Sequence, residues 1–402
     1  MTWCDRCDWN VDPSPPEKKY GLLEGRRRKL AQRHGEKLLA EVTGGGSLSP
    51  HRSASSVAAF VLALAVHAFT LGVIVAGVCF LVRGWATAWM VPGVVSLALA
   101  WTLLPRFGRL PEGDPVLRRA EAPELFALID EVGAATGTRG VDVVVLNTTV
   151  KVCVTTYGLR GRRPLMIGLP FRETLSPRER LALLGHELGH FSNGDTRHGA
   201  VVATAFRSLS TLLLYVAPEP DPTPMQALIN ALAVIPRALV IGVVVVLDLL
   251  TLRASQRAEY LADRKGAHAG STAAAVSLTD RLPVVESVEG ALLREANTRQ
   301  LARRDSLGAK QPWLGLWERL AAHLESIPPR EYERLRRVGA LRGHSSDSTH
   351  PPTHLRRASL LSGPPTEAAV LTDEAREQRI ASELADVRMA LARRVFTYGL
   401  AG

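Results

Sequence analysis

Apolar and polar positions divide the chain into long uncharged blocks and segments with shorter periodicity. Residues 57–82 carry no charged side chain, and after Arg83 and Gly84 a second uncharged run covers residues 85–104. About 20 consecutive apolar residues are enough for a helix to cross the ~30 Å hydrocarbon core of a membrane. Two such runs in succession are unusual for buried helices of a soluble protein, so the pattern predicts a transmembrane hairpin.

Two further apolar stretches follow at residues 199–217 and 225–252, separated by the acidic, proline-rich segment PEPDPTP. They are weaker candidates for membrane spans, because Arg207, Arg237 and Asp248 lie inside them and a charge in hydrocarbon costs at least ~2.5 kcal/mol. We expect a second hairpin, in which Arg207 and Asp248 can pair. The alternative is burial of both stretches against a soluble domain.

The remaining segments have the shorter periods of a folded soluble domain. Apolar positions recur with a helical period at residues 123–134, and β-branched runs predict short strands at residues 141–146, 150–157 and 165–169. Beyond Gly266 the chain is helical and polar. Its later helices are a basic one around residues 313–337 and an amphipathic one over residues 372–394.

The segment LALLGHELGHFSN, residues 181–193, has the pattern of a metal-binding helix. Ser176 at the N-cap, Pro177 at the first helical position and Glu179 at the third predict where this helix begins. Asn193 and Gly194 predict its end.

Inside that helix, His186 and His190 stand four residues apart and therefore face the same way, so their imidazoles can hold one Zn²⁺. Glu187 can take a proton from water at that metal. The arrangement is typical of a metallopeptidase; the alternative is two hydrogen-bonded histidines on a core helix.

A catalytic zinc site needs a third protein ligand and an open fourth position. Asn193 and Thr196 occupy the positions where the elongated HExxHxxGxxH motif has its glycine and third histidine, so that form is excluded. The best candidate is Glu259 in SQRAEYLADRKG. Asp263 lies four residues later on the same face, where it can accept the second N–H of a ligand histidine. An exposed acidic helix face is the alternative.

The formal net charge of +10 is compatible with a nucleic acid or an anionic membrane surface as partner. The basic residues flank the apolar stretches and no nucleic-acid motif accompanies them, so the lipid bilayer is favoured and nucleic acid is not expected. Arg83 alone lies on the opposite side of the spans from six other arginines, which places the catalytic domain at the cytoplasmic face of a plasma membrane. Those six are Arg52, Arg106, Arg109, Arg197, Arg253 and Arg257.

Residues 1–56 form a polar extension without the apolar core of a signal peptide. Cys4 and Cys7 form a CxxC pair that could supply half of a second metal site, with His34 or His51 completing it. The alternative is two unpaired thiols in a reducing compartment.

Three motifs occur in the order HELGH, AEYLAD and DSTHPPTHLR. Together they resemble the membrane zinc endopeptidases that include the heat-shock protease HtpX and the CAAX prenyl proteases, over about residues 57–356. The resemblance implies zinc ligation by His186, His190 and Glu259, with Glu187 as the general base. It also implies a small sheet whose edge pairs with an extended polypeptide substrate, giving affinity with little sequence preference.

The last of these motifs adds His350, which the resemblance implies as a group that stabilises the oxyanion of the tetrahedral intermediate, supported by Arg356. A solvated linker is the alternative for this Ser- and His-rich stretch. The family often has an Asn-Ala pair near the strands, where this chain has Asn147 and Thr148. A substrate-binding role for Asn147 is therefore left open.

These observations predict a mainly α fold with a small β-sheet, that is, a zincin-like α+β catalytic domain with about four transmembrane helices in two hairpins. The expected function is a membrane-bound zinc endopeptidase acting on membrane or unfolded polypeptides. The alternatives are a catalytically idle zinc-binding scaffold or sensor and a narrow CAAX-type processing protease; the oligomeric state is left open. The expected divisions are 1–56 extension, 57–104 hairpin, 105–198 first catalytic part, 199–252 second hairpin, 253–360 second catalytic part and 361–402 terminal helix.

Overall fold

A computed structural model describes residues 3–13, 22–44, 54–158, 160–192, 196–302, 311, 313–342 and 350–399. The helices are α1 Leu22–Thr43, α2 Ala54–Arg83, α3 Met90–Leu103, α4 Pro123–Thr136, α5 Leu169–Glu173, α6 Pro177–Ser192, α7 Thr196–Tyr215, α8 Pro224–Gly270, α9 Thr272–Arg281, α10 Val285–Ala302, α11 Leu316–Glu325, α12 Pro329–Arg342, α13 Thr353–Leu361 and α14 Glu374–Tyr398. The strands are β1 Val116–Leu117, β2 Val143–Asn147, β3 Val152–Val154 and β4 Pro164–Gly168.

The chain folds into two compact units. The first contains Met1–Ser49, Gly108–Asn193 and Gln256–Gly402, and the second contains Pro50–Phe107 and Gly194–Ser255. The expectation of a mainly helical protein with a small sheet is confirmed.

The sheet of the first unit has the strand order β1-β2-β4-β3. β2 pairs in parallel with β4, while β1 and β3 are antiparallel to their neighbours. The three predicted strands are all present, and β1 was missed because its two residues are too few to show an alternating pattern. In the described part of the chain β3 pairs with β4 alone, so its other edge is open.

The core of the first unit lies between the sheet and the helices α4, α6 and α14. All five residues of β2 are buried, and Phe126 of α4, Leu188 of α6 and Leu384 of α14 belong to the same apolar cluster with no exposed surface. This packing fixes one side of α6 and leaves its other side for chemistry.

The N-terminus of α6 is fixed by the capping box that the sequence predicts. The backbone N–H of Glu179 donates to Ser176 Oγ at 3.3 Å, and the N–H of Ser176 donates to the Glu179 carboxylate at 2.8 Å. These bonds satisfy backbone donors that the first turn of a helix leaves without partners. The predicted end at residues 193–194 lies outside the described residues, and α6 is described to Ser192.

The basic segment predicted as one helix around residues 313–337 is two helices, α11 and α12. The break falls at Pro328 and Pro329, because a proline cannot donate the backbone bond that continues a helix. Pro329 instead occupies the first turn of α12, where that donor is not needed.

In the second unit, α2 and the apolar part of α8 are long and apolar enough to cross a membrane. α3 is shorter than its uncharged run predicts, because residues 84–89 form turns rather than helix. Its 14 residues reach about 21 Å, short of a hydrocarbon core. The apolar part of α7 is also shorter than a span. Two of the four expected spans thus have the required length, and the other two stay a prediction.

Two polar contacts in this unit join α2 to α7. His67 Nε2 of α2 is 3.2 Å from the carbonyl oxygen of Val201 and 3.2 Å from Thr204 Oγ1, both on α7. The expected pairing of Arg207 with Asp248 stays a prediction; Arg207 donates to the carbonyl oxygen of Arg106 at 3.3 Å.

Helix α8 joins two segments that the sequence analysis treated separately. It is continuous over 47 residues despite Pro236, and it contains both the apolar stretch and the AEYLAD segment. Glu259 is therefore placed by a regular helix, which holds a side chain more firmly than a loop does.

Candidate metal centre

The histidine pair lies on one face of α6, as the four-residue spacing predicts. His186 Nε2 and His190 Nε2 are 3.3 Å apart, and the two rings meet edge to face. His186 is 7% exposed, so its imidazole faces the protein interior rather than solvent.

Glu259 of α8 completes a group of three possible ligands. Its carboxylate oxygens lie 3.6 Å from His186 Nε2 and 3.6 Å from His190 Nε2. Glu259 Oε2 is buried without a hydrogen-bond partner among the described residues. The donor set therefore fits a zinc ion, and a metal would satisfy that oxygen.

Asp263 lies one turn beyond Glu259 and contacts His186 on the Nδ1 side of its ring, away from the other two ligands. Its Oδ1 is 3.0 Å from His186 Nδ1, so the carboxylate accepts the Nδ1–H and leaves the Nε2 lone pair directed at the other two ligands. Arg356 of α13 binds the same carboxylate through two nitrogens, at 2.6 and 2.9 Å. Burial opposes the charge of Asp263, but Arg356 and His186 more than offset it and hold the pKa of Asp263 far below its usual range.

The electrostatics of the histidines follow from these contacts. Burial and the neighbouring His186 lower the pKa of His190 to about 4, so His190 is neutral at physiological pH, as a metal ligand must be. Burial also acts against protonation of His186, but its hydrogen bond to Asp263 raises the pKa of His186 overall.

Glu187 is buried beside the three ligands. Burial raises the pKa of Glu187 to about 7; the charge of Glu259 acts in the same direction, while His186 opposes it. A carboxylate with a pKa near the working pH can accept a proton and then give it back, which general acid–base catalysis requires.

His350 reaches the same site from the last of the three motifs. Its Nε2 is 3.2 Å from Glu259 Oε1, and Arg356 Nη1 is 3.7 Å from the other oxygen of that carboxylate. Among the described residues, the group whose donor atoms lie close enough to share one ion contains His186, His190 and Glu259, without His350. The open fourth position and the role of His350 both stay predictions.

The three residues lie in a cleft of about 610 Å³ in the first unit. One wall is the open edge of the sheet at residues 150–154, and Leu278, Leu282 and Val285 form an apolar part of the lining. Asn147, which the sequence left open, is not among the lining residues; its Oδ1 accepts from the N–H and hydroxyl of Thr149.

Glycines that the sequence analysis did not single out allow α6 and α8 to approach closely. A Cβ at Gly185 would lie 2.5 Å from Ala269 Cβ, and a Cβ at Gly266 would lie 2.6 Å from the carbonyl oxygen of Ala182. A Cβ at Gly189 would meet Ala262 Cα at 3.1 Å. The sequence does contain a pattern that predicts close helix packing, since small residues stand four apart at 185 and 189 on α6 and at 262 and 266 on α8.

Cys4 and Cys7 acquire no third ligand within the residues that the structure describes. His51, one of the two residues that could complete a site, lies outside them. The possible second metal at Cys4 and Cys7 is therefore not supported. The N-terminal segment instead contacts α12, where Arg337 donates to Asp8 Oδ1 at 2.7 Å and Arg334 to the carbonyl oxygen of Val11 at 2.8 Å.

Comparison with protein families gives one match. The profile of peptidase family M48 matches residues 132–363, which is more than half of the chain and includes α6, the ligand-bearing end of α8, and α13. The chain belongs to peptidase family M48. M48 peptidases are zinc-dependent, and the family contains HtpX and the CAAX prenyl proteases, so the resemblance found in the sequence is confirmed.

The match is shorter at its N-terminal side than the resemblance suggested, beginning inside α4 and leaving out α1, α2 and α3. Comparisons with curated proteins and with solved structures gave no match. Family membership supports metallopeptidase activity, and the substrate and the membrane orientation are matters for proposal.

Proposed function

We propose that this M48 family member is a membrane-bound zinc endopeptidase that cuts unfolded or membrane polypeptides at the cytoplasmic face. The observation that carries the proposal is the spacing of His186, His190 and Glu259, whose donor atoms are 3.3 to 3.6 Å apart beside the buried Glu187. Zinc held by these three residues would polarise the scissile carbonyl and activate a water molecule.

The protein's own groups would perform the proton transfers. Glu187 takes the proton of the attacking water and delivers it to the leaving amine, and its pKa near 7 suits both steps. Asp263 holds the His186 ring in one orientation, and Arg356 fixes Asp263. His350, at the opposite side of the Glu259 carboxylate from Arg356, would donate to the oxyanion that forms on the carbonyl.

The substrate would bind as an extended segment along the open edge of β3. This edge lines the cleft at residues 150–154, and pairing to it uses main-chain groups that every residue except proline provides. Such binding favours polypeptides without folded structure over one defined sequence.

The membrane attachment rests on α2 and α8. Each contains an apolar window with a mean hydropathy of 2.4, and only 22% of the window in α2 and 6% of that in α8 is buried. Exposed apolar helices of this length favour a lipid environment over burial in a soluble domain. Two long spans also suit the heat-shock type better than a prenyl protease with a membrane-enclosed chamber, because such a chamber needs more spans.

The test compares detergent-purified wild type with Glu187→Gln on an unfolded model substrate, with the zinc content of each protein measured. We expect about one zinc at this site in both proteins and cleavage by the wild type alone, which a chelator abolishes. A fully active Glu187→Gln protein would contradict the assignment of the base. A wild type that binds zinc and cuts no polypeptide would instead favour the scaffold or sensor.

A further inference from the structure

Helix α1 packs behind the metal centre although it lies outside the family match. Its buried side is formed by Ala31, Gly35, Leu38 and Val42, and Leu38 has no exposed surface. Leu38 and Val42 share a small apolar cluster with residues of α8 and α13. The helix therefore contacts α8, which carries Glu259, and α13, which carries Arg356.

Two side chains of α8 bind the backbone of α1. Gln256 Nε2 donates to the carbonyl oxygen of Ala31 at 2.9 Å, and the Tyr260 hydroxyl donates to that of Gly35 at 3.2 Å. Gln256 and Tyr260 stand four residues apart and have no exposed surface. Glu259 and Asp263 form the neighbouring face of the same helix, because successive residues of an α-helix are turned by about 100°.

The second contact of α1 is with α13. A Cβ at Gly35 would lie 3.6 Å from Pro352 Cδ, an ordinary contact, but 3.1 Å from Leu355 Cδ1, so the Leu355 side chain or α13 itself would have to move by a few tenths of an ångström. Leu355 directly precedes Arg356, whose guanidinium binds Asp263 and lies 3.7 Å from Glu259. A shift of α13 at Leu355 would therefore move the charge that faces the third ligand.

We propose that α1 is a positioning element of the metal centre. Gly35 holds α13 in place by its close contact with Leu355, and it holds α8 in place by accepting the hydrogen bond of the Tyr260 hydroxyl. The inference rests on the proposed zinc site. Metal ligands must be held within about 0.5 Å of the productive geometry, and residues behind the ligands supply that precision. A helix that only stabilises the fold would affect unfolding without changing how the folded protein holds zinc.

The first test substitutes Gly35 and a matched glycine of the same helix. Gly25 is also in α1, and a Cβ there meets no atom within 4 Å. Gly35→Ala and Gly25→Ala gain the same helix propensity, and Gly35→Leu and Gly25→Leu form a second matched pair. Each variant is loaded with zinc, and the rate of zinc loss to a chelator is measured together with the Co²⁺ absorption spectrum and kcat.

We expect zinc loss to be about tenfold faster in Gly35→Leu than in Gly25→Leu, with a smaller change in the same direction for the alanine pair. The Co²⁺ spectrum should change in the Gly35 variants alone. Adding Leu355→Val to Gly35→Ala removes the Cδ atom that a new Cβ would meet, and should restore zinc retention. If Gly35→Leu does not fold, the alanine pair and this rescue decide the question.

Tyr260→Phe tests the contact with α8, with Tyr332→Phe of α12 as the control, since the Tyr332 hydroxyl also bonds a backbone carbonyl oxygen, that of Leu324 at 3.5 Å. Faster zinc loss is expected for Tyr260→Phe alone. Folded Gly35 and Tyr260 variants that keep zinc as firmly as their controls would overturn the inference. Because zinc retention is measured without a substrate, a wild type that binds zinc but cuts nothing would refute the proposed function and leave this test intact.

Discussion

Adding one methyl group at Gly185 should open the metal site. The new Cβ of Gly185→Ala would lie 2.5 Å from Ala269 Cβ and 3.0 Å from Gly266 Cα, whereas carbon atoms in contact prefer about 3.5–4.0 Å. The α6 and α8 backbones must therefore separate by about 1 Å. The Glu259 carboxylate oxygens, now 3.6 Å from the two histidine nitrogens and close to the ~3.4 Å spacing of tetrahedral zinc, would move to about 4.6 Å from them, too far to share the ion.

The energetic terms oppose one another in this variant. Overpacking costs about 1–3 kcal/mol, and the better helix propensity of alanine returns about 0.8–1.0 kcal/mol. We therefore expect a loss of up to ~2 kcal/mol in the free energy of unfolding and at least a ~10-fold loss of zinc affinity.

The assay is zinc content after dialysis against a graded chelator, with thermal unfolding measured in parallel. Gly290→Ala in α10 is the control, because a Cβ there meets only the flexible end of Arg294 at 3.6 Å. If Gly185→Ala holds zinc as firmly as wild type and Gly290→Ala, the close approach of α6 and α8 does not set the ligand geometry.

Three further predictions concern groups at the site and at the start of α6. Asp263→Asn should lower zinc affinity by ~10–100-fold while the fold is kept, as measured by chelator competition, because the amide no longer holds the His186 ring as a carboxylate does. Zinc removal should lower the melting temperature of wild type but not of Glu259→Ala, as thermal scans with and without chelator would show, since a ligand of the folded state stabilises it. For Glu179, burial opposes ionisation, but hydrogen bonds from Arg281 and Ser277 lower its pKa below 4.5, its ordinary value. The stability advantage of wild type over Glu179→Gln should therefore be complete above pH 4.5 and disappear as the pH falls through the folded-state pKa; an advantage that grows on acidification would contradict this assignment.

Local patterns were sufficient for much of the fold and for the chemistry of α6. The capping box at Ser176 and the four-residue spacing of the histidines act within one helix, so no distant contact is needed to infer them. The three longer strands were visible for the same reason, while β1 exists only because it pairs with β2. Helix α3 is shorter than the uncharged run at residues 85–104, because residues 84–89 form turns.

By itself, the sequence determined which residues could act as ligands and base, because HExxH and the carboxylates of AEYLAD are local patterns with a fixed helical spacing. Only the tertiary structure decided that Glu259 lies 3.6 Å from both histidines and that Arg356 holds Asp263. It also placed α1 against the back of the site. The physical reason is that these contacts join segments distant in the chain, and their distances depend on how closely helices pack, which a single glycine can change by an ångström or more without altering the local pattern.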